Sequence, residues 1–138
     1  MPTNVYVDGF NLYYGAVRGT PYKWLDISRL CATLLPGRTI NRIRYFTATP
    51  KGLPHDPDVH IRHAVYVRAL ETIPNLVVHP GQFVERQTVL PQYPFAYHNN
   101  ANPAKYPPLM VRVMRSEEKR SDVNIATYLL LDCFQTEF

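Results

Sequence analysis

Two cysteines in 138 residues, Cys31 and Cys133, form no pattern of disulfide or metal-site spacing. Their scarcity points to a reducing, cytoplasmic setting. No uninterrupted apolar run approaches the roughly 20 residues that span a bilayer. The N-terminus has no basic segment followed by an apolar stretch, so no membrane association is expected. Both GxGxxG and GxxxxGK[ST] are missing after the first apolar segment, which argues against a nucleotide-cofactor enzyme. Neither charge sign dominates: 15 Lys plus Arg against 11 Asp plus Glu leaves a formal net charge of +4, a mild bias toward a polyanionic partner. The length suits one domain with one core.

What is present alternates between strand and helix patterns. Asn4 to Val7 reads as a strand buried on both faces, with residues 8 to 15 as the loop at its C-terminal end. Leu25 to Leu35 reads as a helix with an apolar face of Leu25, Ile27, Leu30, Leu34 and Leu35, an Asp26 or Ser28 cap and a Pro36-Gly37 stop. INRIRYF, 40 to 46, is the second strand. Residues 58 to 72 mix alternation with helical length; a cap at Asp56 or Asp58 favours helix. NLVVHPGQF, 75 to 83, is the third strand.

Residues 87 to 108 hold many of the chain's 13 prolines, with Tyr93, Tyr97, Asn99, Asn100 and Tyr106, and show no period. They are expected to form an irregular insertion. LMVRVMR, 109 to 115, alternates as a strand with one wet face. SDVNIATYLLLDCF, 121 to 134, reads as a helix capped by Ser121, with a core stripe of Ile125, Ala126, Leu129, Leu130 and Cys133. Strands separated by helices indicate an α/β fold with a mainly parallel sheet, whose ligands gather at the carboxyl ends of the strands.

Two carboxylates fall at that edge. Asp8 ends the first strand, where burial would ask for a cationic partner; alternatively it accepts hydrogen bonds from the Gly9 to Asn11 turn. Asp122 sits in the first turn of the last helix, where a plain helix-dipole role is the competing explanation. With the Asn11 amide they would suit Mg2+ or Mn2+, bound through oxygen and water. Glu118 could join them and Lys119 could meet a phosphate, although EEKR also reads as a solvated run.

Arg112 and Arg115 could position a nucleic-acid backbone or lie on an exposed strand. Asp132 is a rise of roughly 15 Å from Asp122 on the same helix. It is therefore left to solvent or to a structural hydrogen bond. His55, His60 and His63 lack an HExxH motif and are expected at surface or half-buried positions.

VDGFNLYYG near the start and EEKRSDVNIATYLLLDCF near the end resemble the NYN domain family, PIN-like nucleases that include LabA-type proteins. RIRYFTATP, residues 58 to 72 and VVHPGQF follow in matching order, so the likeness covers essentially the whole chain. It implies a Rossmann-like, PIN-type three-layer sandwich and metal-dependent hydrolysis of RNA. By position, Asp8 and Asp122 match the family's acidic metal-site residues and Asn11 its nearby amide. In the family a further strand with a Ser-x-Asp-Ser-Asp type motif follows the last helix, whereas this sequence stops at QTEF. A site with fewer carboxylates is therefore expected to hydrolyse poorly. The first strand is expected to have an open edge that a homodimer could cover.

Two other classes compete with this one. A haloacid-dehalogenase-like phosphatase would carry Asp-x-Asp-Gly, but Tyr6 stands two residues before Asp8. A non-catalytic RNA-binding or interaction module on the same fold is the stronger alternative, with tyrosines of residues 93 to 106 stacking on bases.

Overall fold

The computed structural model describes residues 2–98 and 101–135. Asn99, Asn100 and the last residues of QTEF, 136 to 138, lie outside the described residues. The chain divides into two compact units, Met1–Phe83 with Glu118–Phe138, and Val84–Glu117.

The larger unit is an α/β structure around a three-stranded parallel sheet in the order β1-β2-β3: β1 Pro2–Asp8, β2 Thr39–Thr47 and β3 Leu76–Pro80. Asp8 pairs with Phe46, and Thr47 with Pro80, so the three strands end together. The expected loop at 8–15 is instead a short helix α1, Gly9–Leu12, continued by a π-helical turn over Tyr13–Val17. Asp8 nucleates it, because its side chain caps the Asn11 backbone N–H. Gly9 is required there: a Cβ would stand 2.5 Å from Tyr45 Cζ and 2.9 Å from the Phe46 carbonyl oxygen.

Helix α2, Ile27–Leu34, is capped by Asp26, as expected. Its buried residues are Ile27 and Cys31, and Leu34 is exposed. Helix α3, Val59–Glu71, resolves the ambiguous segment. Val59, His63, Tyr66, Val67 and Leu70 turn inward at helical spacing, while Ile61 and Val65 are exposed. Asp58 occupies the N-cap position without a side-chain bond, and Asp56 instead pairs with Arg62.

Helix α4, Ser121–Phe134, has the expected bounds but a different inner face. Ser121 and Asp132 are buried, and Ile125 and Tyr128 half-buried, whereas Leu129, Leu130 and Cys133 are exposed. Ser121 is not the cap. Arg120 takes that position in the left-handed region, φ 84°, and Glu118 Oε1 accepts from Ser121 Oγ at 2.6 Å and from its N–H at 3.3 Å.

Alternation along β2 separates the two faces of the sheet. Ile43 and Tyr45 face α2 and α3 in a core with Ile27, Cys31, Leu70 and Leu76. Arg44 and Phe46 face α4. Helices thus cover both faces. β4 (Gln82–Pro91) and β5 (Met110–Lys119), which lie mostly in the smaller unit, make a two-stranded antiparallel sheet. Part of the expected irregular insertion is therefore strand, to Pro91. No helix among the described residues is long and apolar enough to cross a membrane.

Candidate functional site

Asp8 stands at the carboxyl end of β1, partly exposed, and its carboxylate is met by Asn11. Asn11 bonds it twice: its backbone N–H donates to Oδ1 at 2.9 Å and its Nδ2 to Oδ2 at 2.9 Å. The bland turn reading of Asp8 therefore holds as geometry, and it orients the carboxylate rather than neutralising it.

Glu118 reaches the same edge from the other side. A Cβ on Gly81 would lie 2.7 Å from Glu118 Oε1 and 3.3 Å from Ser121 Oγ, and the Gly81 N–H donates to the Thr47 carbonyl at 2.6 Å. The start of α4 is thereby held against the ends of β2 and β3. β1 and β3 flank β2, so the strand end that carries Asp8 and the one that leads to Gly81 stand two strand spacings apart, about 10 Å. Asp122 lies exposed in the first turn of α4.

Among the described residues no three of His, Cys, Asp and Glu converge on one point. Asp8, Glu118 and Asp122 are not brought together as a preformed three-ligand site. The donor set is nevertheless all oxygen, which fits the hydrated mode in which Mg2+ takes one or two carboxylates and completes its shell with water and substrate phosphates. Arg112, Arg115 and Lys119 are exposed on β5. Arg115 pairs with Glu117 at 2.6 Å.

Asp132, set aside on geometry, is the most deeply buried carboxylate. Its Oδ1 accepts from Arg44 Nη2 at 2.5 Å, its Oδ2 from Arg44 Nε at 2.8 Å and from the Tyr6 hydroxyl at 2.5 Å. Arg42 Nη1 stands 3.8 Å away. These bonds, Arg44 first, hold the carboxyl below its usual range. Burial and the bond to Asp132 push Tyr6 up to about 12. His79 Nε2 lies 3.3 Å from Arg44 Nη1, and burial and then the guanidinium charge lower its pKa. The Tyr128 ring packs on both Arg44 and His79. The structural hydrogen bond foreseen for Asp132 is present, with a guanidinium as its partner, and solvent is not.

An open cleft of about 300 Å³ lies in the larger unit, its wall beginning at Gly9 and Phe10, directly after Asp8. Two ring clusters line it. Phe10 packs on Tyr14 and Phe83, with centroids 4.5 and 5.6 Å apart, and Tyr66 packs on Trp24 and Tyr45 at 5.5 and 6.4 Å. Thr47 and His63 are polar members of the lining. Thr47 Oγ1 and His63 Nε2 are 2.9 Å apart. His63 Nδ1 is buried with no hydrogen-bond partner, a state that costs about 1–3 kcal/mol. Burial lowers the His63 pKa, so the ring is neutral at pH 7. Of the three histidines, His63 is half-buried and His55 and His60 exposed, as expected. Sequence reasoning did not find this cleft. The run YYG after Asn11 and the YKW at 22 to 24 were its only signals.

No family model matches the chain, and no solved structure matches it. Among curated proteins it is similar to the 6-hydroxy-3-succinoylpyridine 3-monooxygenase HspA of Pseudomonas putida (strain DSM 28022 / S16), 31% identical over 145 residues. The match covers 90% of this chain and 45% of that protein, so the chain spans about half the length of this relative.

Proposed function

We infer that the chain carries an NYN-like, PIN-type site for metal-dependent hydrolysis of RNA, with Asp8 and Asp122 as acidic metal-site residues and Glu118 as a third oxygen donor. One observation carries the reading. An oriented carboxylate, Asp8, stands at the carboxyl end of a parallel strand, and a second, Glu118, is held at the same sheet edge by Gly81 and Ser121. A bound Mg2+ or Mn2+ would supply an activated water and neutralise charge developing on the phosphate. The chain's own part is to aim Asp8 through the two Asn11 bonds before any ligand arrives and to keep the α4 N-terminus at the edge. Lys119, exposed at the end of β5, supplies positive charge for the RNA backbone.

A cytoplasmic setting accords with two free cysteines. A homodimer would use β1, an edge strand of its three-stranded sheet. Labelled RNA incubated with Mn2+ or Mg2+ is cut by the wild type and spared by Asp8→Asn and by chelator. RNA retained on a filter without cleavage replaces hydrolysis with the binding-module reading. A second reading, a part in oxygenating a hydroxylated pyridine, is favoured by the identity to the monooxygenase. Oxygen uptake dependent on both 6-hydroxy-3-succinoylpyridine and an added two-electron donor would carry it over the nuclease.

A further inference from the structure

The cleft beside Asp8 has a composition that a simple apolar pocket would not need. Its two ring clusters are each overlaid by a cation: Arg18 lies 5.1 Å from the Tyr14 ring centroid and Lys23 5.5 Å from that of Trp24. The third cation, Arg62, is already paired with Asp56 at 2.5 Å, so Arg18 and Lys23 set the sign of the rim. Tyr14 and Trp24 remain 51% and 49% exposed, large rings presented to solvent along the cleft rather than spent in the core. Between them the lining offers Thr47 and a neutral His63 whose Nδ1 has no partner. Such a volume stands at the small end of ligand pockets, the size of a ring system with one substituent.

We propose that this cleft binds a planar nitrogen heteroaromatic ring bearing an anionic substituent, with the ring against the Tyr14 and Trp24 clusters, its polar edge toward Thr47 and His63, and its charge toward Arg18 and Lys23. Ring faces favour flat π-systems over saturated ones of equal size. Thr47 and His63 form the polar part of the wall, and a ring that brings no polar edge to them is penalised against one that does. The two cations select the anionic substituent. The proposal rests on the cleft alone and stands apart from any cleavage at Asp8. An unpaired base with its phosphate and a free ring acid share this chemistry.

Trp24 is the chain's single tryptophan and lines the cleft, so its fluorescence reports occupancy directly. The protein is titrated with nucleoside monophosphates, with a hydroxypyridine carboxylate, with an unpaired oligoribonucleotide, and with ribose phosphate as the control without a ring. A saturable change with the nucleotides and the oligonucleotide identifies an RNA base as the occupant, and one with the pyridine acid alone identifies a free ring. Either result supports the site. No saturable change with any ring probe, or an equal response to ribose phosphate, overturns it.

His63→Leu removes the orphaned nitrogen without emptying the wall. It is expected to weaken ring binding by about tenfold with the fold intact, whereas unchanged affinity would overturn the assigned edge. Arg18→Gln should narrow the gap between a nucleotide and its uncharged nucleoside. Equilibrium dialysis with the same labelled probes gives occupancy independently of the fluorophore. Because no probe requires cleavage, an inactive protein that still binds rings separates this site from the nuclease reading.

Discussion

On the face of the parallel sheet that meets α2 and α3, β2 sends Ile43 and Tyr45 into a core of Ile27, Cys31, Leu70 and Leu76. On the face that meets α4, the same strand sends Arg44 and Phe46, and α4 answers Arg44 with Asp132. The first face is held by area removed from water, which has no direction and accepts many packings. The second is held by a two-point guanidinium–carboxylate contact with Tyr6 as a further donor, which accepts one geometry. That contact sets where α4 lies along the sheet. It thereby fixes where Glu118 and Ser121 meet the strand ends, which ties the charged face to the proposed site.

The sharpest way to break this contrast is to remove one half of the charged pair. Asp132→Ala leaves Arg44 buried and uncompensated and should cost about 3–5 kcal/mol in chemical denaturation. Replacing the whole constellation, Tyr6→Phe with Arg44→Met and Asp132→Leu, should recover most of that loss, because no desolvated charge remains. A triple variant as unstable as the single one would show that the network contributes stability rather than geometry. If α4 keeps its register only through the ion pair, the triple variant should also lose the RNA cleavage proposed for this site.

The apolar face should respond to volume instead. Ile43→Ala empties fully buried space and should cost about 2–4 kcal/mol, while the conservative Ile43→Val should cost about 1 kcal/mol. Gly9→Ala tests the seam between this face and the site. Its Cβ would press on the Tyr45 ring and the Phe46 carbonyl, at a cost of about 1–3 kcal/mol. The backbone shift that relieves it would also disturb the Asn11 bonds to Asp8. A Gly9→Ala protein with unchanged stability would mean that α1 rides on the sheet loosely.

Local patterning made the parallel strands, α2, α3 and the bounds of α4 legible, because each depends on signals within a dozen residues. It misjudged which side of α4 turns inward. Leu129, Leu130 and Cys133 carry the hydrophobicity, yet the buried side is Ser121, Ile125, Tyr128 and Asp132, since the partner that decides it, Arg44, lies 88 residues earlier. Apolar periodicity has no term for a charge meeting a charge across a sheet. Asp8 and Asn11 were readable as a pair because they are three residues apart. The cleft was not, because Tyr14, Trp24, Thr47 and His63 converge from four separate segments.

Acid supplies the smallest and most selective test of the two faces. Each is associated with a histidine whose folded pKa lies below the ordinary value of 6.5: His63 by burial alone, and His79 by burial and then by Arg44. A depressed pKa means the unfolded chain binds more protons, so this contribution is full above pH 6.5 and is lost as pH falls from there through the folded values. Asp132, depressed from 3.8, adds a second and more acidic loss of the same sign. Denaturation midpoints measured from pH 8 downward should therefore fall in two stages. His63→Leu should weaken the first stage while raising stability at pH 7 by about 1 kcal/mol, because an orphaned nitrogen is removed. His79→Leu should weaken the same stage yet lower stability at pH 7, because it strips a neighbour from the Arg44 network. Opposite signs for the two substitutions at neutral pH would sharpen the contrast between the faces, and equal signs would dissolve it.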